Sequence, residues 1–311
     1  MNIDTISFHA MGTKIFVGME SNLKSVSALK QVPAWFEEWE QCLSRFRPNS
    51  ELSRLNRSNG KSFHASLNLC EVVQLSIQAG IESNGLVTPV ILDQMEASGY
   101  DRSFETFSEN KAVTKNLDYP VADVSEIFFE PASRTIRLPR NMRLDLGGFG
   151  KGWAAQKAMR RLARIAPTLV DAGGDIAISS TLSDGSPWPV GVENAIHPEV
   201  SQVVLSLGKN SVATSGRNRR YWLADGQLRH HIIDPRTNRP ALTDIVTATI
   251  INKNLTHAEM ASKAVFIQGS QAGMQWLEDH PAYSGILTLE NGRILTTPGF
   301  EKHIWSEHVR Q

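Results

Sequence analysis

Asp145-Leu-Gly-Gly-Phe-Gly-Lys-Gly-Trp153 is the stretch around which the rest of the chain can be read. Four glycines fall within six residues, and Leu144-Asp145 ahead of them reads as the end of a strand. The residues that follow put Ala155, Met159, Leu162 and Ala166 on one face of a helix. A strand, a glycine-rich turn and a helix N-terminus together aim backbone N–H groups at an anion. The spelling excludes two common phosphate loops: Lys151 precedes Gly152 rather than Ser or Thr, so this is no Walker A loop, and the glycines do not spell GxGxxG. A tight turn packed on a sheet would use the same glycines without a ligand. In favour of a site, a carboxylate, Asp145, and an ammonium, Lys151, flank one turn.

Outward from this loop, Phe8–Met19 carries the β-formers Ile15, Phe16 and Val17 after a Gly12 break and reads as an opening strand. Leu23–Phe46 is helical in pattern, with a restart at Pro33. Leu69, Val73, Ile77 and Ile81 make an apolar stripe that ends at the capping pair Asn84-Gly85. Residues 100–140 are polar and irregular, with short strands expected at Glu126–Phe129 and Thr135–Leu138. Further strands are expected at 168–171, 203–207, 229–233 and 245–251, then helices over Thr256–Gln268 and Ser270–His280. Strands without a regular βαβ rhythm predict the α+β class: mixed or antiparallel sheets with flanking helices, one catalytic unit over residues 1–311 with room for two lobes.

The 32 Lys+Arg of the 311 residues balance 32 Asp+Glu, which argues against a nucleic-acid partner held on a basic surface. At 41% hydrophobic the chain is not disordered, yet no apolar run approaches the ~18 residues of a transmembrane helix. Cys42 and Cys70 lie in no CxxC or Cys/His cluster, so neither a disulfide framework nor structural zinc is expected. The opening MNIDTISFHAMGTKIFVGM has acidic and polar residues where a leader would be basic and then apolar, so the expected compartment is cytoplasmic.

Three further segments carry candidate chemistry. Asp171-Ala-Gly-Gly-Asp175 is a bend with an acid on either side. Ser211–Gly216, with Arg217, Arg219 and Arg220, leads to Arg229-His230-His231-Ile-Ile-Asp234-Pro235-Arg236; hydroxyls and guanidinium forks suit a phosphate, and a histidine beside them suits acid–base work. Thr256-His-Ala-Glu259 spells a capping box, and Glu259 with Lys263 an i,i+4 ion pair, both of which need no function.

Taken in order, these landmarks resemble the ApbE family of flavin transferases. The resemblance runs through Phe8-His-Ala-Met11-Gly12-Thr13, Leu43-Ser-Arg-Phe46-Arg-Pro-Asn-Ser50, Gly85-Leu-Val-Thr-Pro89, the 145–153 loop, Asp171–Ile176, Val212–Gly216, His230–Pro240 and Ala258–Phe266, about residues 8–269. It implies cleavage of the FAD diphosphate with transfer of FMN to a Thr or Ser hydroxyl of an acceptor flavoprotein bearing a DxxSGAT-like motif, with Mg²⁺ as the usual ion. FAD is thus the expected substrate, with Met11, Phe46, Leu86, Val87, Thr88, Asp145, Lys151 and Ile233 around it and His231 as the catalytic histidine. FAD hydrolysis to FMN and AMP, or FAD binding without turnover, stays open as an alternative.

The resemblance breaks at two places. The family's metal segment has an Asp and a Thr where this chain has Glu259 and Lys263, the third metal contact being a carbonyl near Gly148. An ammonium has no lone pair, so Lys263 is expected to occupy the metal's place and to neutralise diphosphate charge itself; the alternative is that Glu259 and the Gly148 carbonyl still bind Mg²⁺ with Lys263 swung away. Thr88 stands where the family more often has Asp beside the flavin.

Overall fold

The computed structural model describes residues 2–103, 120–196, 199–224 and 226–305, so the middle of the irregular 100–140 stretch lies outside the described residues. Strands β1 (Ile3–Ala10) and β2 (Thr13–Glu20) come first, then helices α1 (Ser25–Leu29), α2 (Val32–Leu43) and α3 (Glu51–Asn56). Next are β3 (Phe63–His64), α4 (Leu67–Glu82), α5 (Leu92–Ala97), β4 (Phe128–Glu130) and β5 (Thr135–Arg137). Helix α6 (Gly150–Leu162) leads to β6 (Thr168–Ala172), β7 (Ile176–Ile178), β8 (Trp188–Glu193), β9 (Ser201–Leu207) and β10 (Ser211–Gly216). The chain continues through β11 (Tyr221–Ala224), β12 (Gln227–His230), β13 (Ile233–Asp234), β14 (Arg239–Pro240) and β15 (Ile245–Asn252). Helices α7 (Leu255–Gln268) and α8 (Ser270–Asp279) precede β16 (Ser284–Leu289) and β17 (Ile294–Thr296).

The scaffold is an eight-stranded sheet in the order β1-β2-β6-β7-β10-β15-β16-β17, every neighbouring pair antiparallel. Alternation along its strands builds two cores, because successive side chains leave a strand on opposite faces. Val170, Ala177 and Ala213 face a core shared with α2, α4 and α6, while Leu169, Ile176, Ile178 and Val212 face the β8–β9 hairpin through Trp188, Val190 and Leu205. Helix α7 packs on β10 and β15, burying Phe266 and Val265 against Ile245 and Ile250. The class is α+β as expected.

Several local expectations change. The opening strand is a hairpin: Met11 and Gly12 both adopt positive φ (53° and 66°), the two-residue turn whose twist matches paired strands. Leu144-Asp145 lies in no strand; Asn56 hydrogen-bonds both backbone groups of Leu144, and Asp145 N–H donates to Pro89 O at 2.8 Å. Ser211–Gly216, where no strand is expected, is strand β10 inside the sheet, and it still brings the Thr214 and Ser215 side of the segment to a cavity at one end of the sheet. The 229–233 strand divides into β12 and β13, which belong to different hairpins. Helix α7 is capped by Asn254, whose side chain accepts from Thr256 N–H, so Thr256-x-x-Glu259 is not a capping box. Among the described residues no helix is long and apolar enough to cross a membrane.

Candidate active site

The β1–β2 turn, the β6–β7 turn, the end of β10 and the start of β15 meet at one end of the sheet, where a cavity of about 880 Å³ opens. That volume sits toward the upper end of the roughly 300–1,000 Å³ typical of ligand pockets. Met11, Phe46, Leu86, Val87, Thr88, Asp145, Gly148, Lys151, His231, Ile233 and Lys263 all line it. Glu259 does not: it is 2% exposed and lies behind Lys151 and Lys263. Of the arginine cluster, Arg219 and Arg220 reach the walls, whereas Arg217 pairs with Glu290 and Arg236 with Asp234.

One wall is aromatic. Phe46, 38% exposed, offers its ring edge-on to Tyr100 at 5.8 Å, and Tyr100 stacks on Trp222 at 5.5 Å. The Arg45 guanidinium lies 4.2 Å from the Phe46 centroid and 4.8 Å from that of Tyr100, and pairs with Asp145 at 2.6 Å. Both partners of that pair are 6% exposed, so breaking it would strand a buried charge. Gly147 N–H donates to the other Asp145 oxygen at 2.9 Å, which fixes the carboxylate. The sequence reading passes over Arg45, because its role depends on a partner far along the chain. Thr88 is buried, its hydroxyl accepting from Val90 N–H, which orders the turn.

The opposite wall is charged. Lys151 Nζ sits 3.0 Å from Asp175 Oδ2 and 3.8 Å from Glu259 Oε1. Burial alone would lower the Lys151 pKa, but Asp175 and Glu259 outweigh it and the net direction is up, so this lysine stays an ammonium. The β6–β7 bend is thus both a hairpin and a site wall. Lys263 Nζ donates to Glu259 Oε1 at 3.1 Å. Two glycines make room for these groups: a Cβ on Gly148 would meet Lys263 Cε at 3.1 Å, and a Cβ on Gly152 would collide with Glu259 Oε2. Burial pushes the Glu259 carboxyl up while the Lys263 ammonium works against it.

These residues do not fit a Mg²⁺ ion. The Lys263 arm fills the space between Gly148 and Glu259, an ammonium cannot ligate, and Glu259 is the lone acid there of the expected set. Among the described residues no group of three His, Cys, Asp or Glu side chains could hold a metal.

The two histidines of Arg229–Ile232 divide their roles. His230 is buried edge-on to Phe266, its Nε2 donating to Ala241 O and its Nδ1 accepting from Ile232 N–H, a neutral core residue. His231 faces the cavity with Nδ1 directed at Arg220 O, 3.4 Å away. A carbonyl only accepts, so Nδ1 carries the proton and Nε2 keeps its lone pair. Burial, then the charge of Arg220, holds the His231 pKa well below the ordinary range, so the ring is neutral at physiological pH.

Fold and cavity define a class: α+β proteins built on one antiparallel sheet, with a cavity at a sheet end that has an aromatic wall facing an ammonium-bearing one. The ApbE family model matches residues 11–287, and the chain belongs to that family. It is 25% identical over 248 residues to a FAD:protein FMN transferase of Vibrio cholerae, covering 78% of this chain and 74% of that one. To the FAD:protein FMN transferase of Treponema pallidum it is 27% identical over 290 residues, covering 88% and 80%. The fold matches the crystal structure of the ApbE protein of Thermotoga maritima with a TM-score of 0.85 at 20% identity, covering 98% of this chain and 100% of that one. Apo flavinyl transferase ApbE of Pseudomonas stutzeri matches at 0.82 with 19% identity, covering 98% of each chain.

Proposed function

We propose that this protein transfers FMN from FAD to a Ser or Thr hydroxyl of an acceptor flavoprotein carrying a DxxSGAT-like motif, releasing AMP. The observation that carries the reading is convergence: the Lys151 loop and the His231 segment open on one cavity that also holds an aromatic wall. A flavin or adenine ring needs such a wall, and a diphosphate needs fixed cations opposite it. Phosphoryl-type transfer asks mainly for positioning and charge neutralisation, with a base at the attacking oxygen.

In this reading Met11, Phe46, Leu86, Val87, Thr88, Asp145 and Ile233 hold the rings and ribityl chain. Lys151 holds the diphosphate, and His231 Nε2 takes the proton of the acceptor hydroxyl as its oxygen bonds to the FMN phosphorus. The bond from that phosphorus to the AMP oxygen breaks, and AMP departs with the electron pair. Two buried, unpaired thiols suit the proposed cytoplasmic location, with an acceptor in the same compartment.

Mixing the protein with FAD and an acceptor bearing the motif, then weighing the acceptor by mass spectrometry, tests the proposal. Covalent FMN is expected; free FMN plus AMP with an unmodified acceptor would make the protein a hydrolase, and intact FAD a binder. His231→Asn should lower the transfer rate by about 10²–10⁴-fold while FAD still binds. Because His231 stays neutral below the usual range, wild-type transfer should show no loss centred near pH 6.5. A midpoint there would remove it as the base.

A further inference from the structure

We propose that Lys263 is a built-in cation: its ammonium takes the place of a divalent ion at the diphosphate, so that FAD binds without metal. The inference rests on the functional reading above and names the device by which the same site neutralises its substrate.

The charges are layered. Lys151 and Lys263 both line the cavity, while Glu259 lies behind them, its Oε1 3.8 Å from the first ammonium and 3.1 Å from the second. Asp175 holds Lys151 from the side at 3.0 Å. A ligand in the cavity therefore meets two ammonium heads whose countercharges sit behind or beside them. Partly buried ammonium groups held this way by carboxylates keep their orientation at little entropic cost, the condition under which a point cation grips phosphate oxygens well. Lys263 directs its bonds back to Glu259 Oε1 and to Glu259 O, at 3.1 and 3.5 Å, leaving a third N–H for a ligand.

The slot is shaped for this arm. Gly148 lies against Lys263 Cε, and any side chain there would press on it. A dication entering the same space would meet an ammonium at contact distance and would find Glu259 already committed to two lysines, its second oxygen turned toward Gly152. Hydrated Mg²⁺ requires near-octahedral oxygen donors, which this corner does not provide.

Calorimetric titration of FAD into the purified protein, once with EDTA and once with millimolar Mg²⁺, separates the possibilities. Equal affinity in both is expected. Lys263→Thr should lose about tenfold or more in EDTA, the scale of one charge-assisted contact, and recover with Mg²⁺. Titration of MgCl₂ alone should give saturable heat with Lys263→Thr and none with wild type. Lys263→Met, which keeps the arm without its charge, should lose affinity as much and gain nothing from Mg²⁺; melting curves of both variants check that they fold. If wild type binds FAD only with Mg²⁺, or binds Mg²⁺ by itself, the inference fails and the functional reading survives. Failure of wild type to bind FAD in either buffer overturns both.

Discussion

At the scale of single residues, Gly152 and Glu259 show how packing decides what a side chain is for. By spacing alone Glu259 is the acid of a capping box and the partner in an i,i+4 pair. In the fold it is a buried anchor, reached only because helix α6 presents no Cβ at Gly152. Gly152→Ala would gain up to about 1 kcal/mol of helix propensity but must move a carboxylate held in the core, and overpacking of that kind costs about 1–3 kcal/mol. The melting temperature is therefore expected to fall, together with FAD affinity. Gly150→Ala is the control. Its Cβ would meet only Leu43 and Met11 at 3.6 and 3.8 Å, ordinary contact, so its melting temperature should hold or rise. Equal behaviour of the two variants would contradict the anchoring role of Glu259.

At the scale of elements, the start of α7 sets where Glu259 and Lys263 point. Asn254 accepts from Thr256 N–H at 3.0 Å and from Thr256 Oγ1 at 2.7 Å, while Leu255 N–H donates to Gln156 of α6 at 2.8 Å. The two helices that carry the charged wall are thus tied together at this cap. Asn254→Ala should cost about 1 kcal/mol of stability, the usual loss of an N-cap, and Thr256→Ala clearly less. Urea denaturation compares them. The reverse order would reinstate Thr256 as the cap. Helices whose signals are local are legible in the sequence: Pro33 opens α2, and the apolar stripe from Leu69 to Ile81 runs into Asn84-Gly85 at the end of α4. Strands are harder to read. The sequence signals neither β7 nor β10 as a strand, because short strands buried on both faces lose the alternation by which a strand is read, and in β8 Pro189 and Gly191 at the exposed positions mask an alternation that is present.

Across the whole molecule, stability should carry a histidine signature. Burial holds His230 neutral and takes its pKa from 6.5 to about 4, and His231 is shifted the same way. Below pH 6.5 the unfolded chain binds protons that the native state refuses, so this stability is complete above pH 6.5 and drains away as pH falls toward 4. His230 alone accounts for about 3 kcal/mol of that loss, since each tenfold drop in proton affinity on folding is worth roughly 1.4 kcal/mol. Urea midpoints measured between pH 7.5 and 4.5 should decline, and less steeply in His230→Gln; a flat profile in the wild type would refute the burial argument. The sequence by itself determined the α+β class, the glycine loop and the order of the landmarks, because loops and helix stripes are written in neighbouring positions. Tertiary structure alone decided that Arg45 holds Asp145, that His230 is core while His231 faces the cavity, and that Lys263 stands in front of Glu259. Each of those depends on contacts between segments far apart in the chain, where burial and charge are settled by what packs alongside rather than by what comes next.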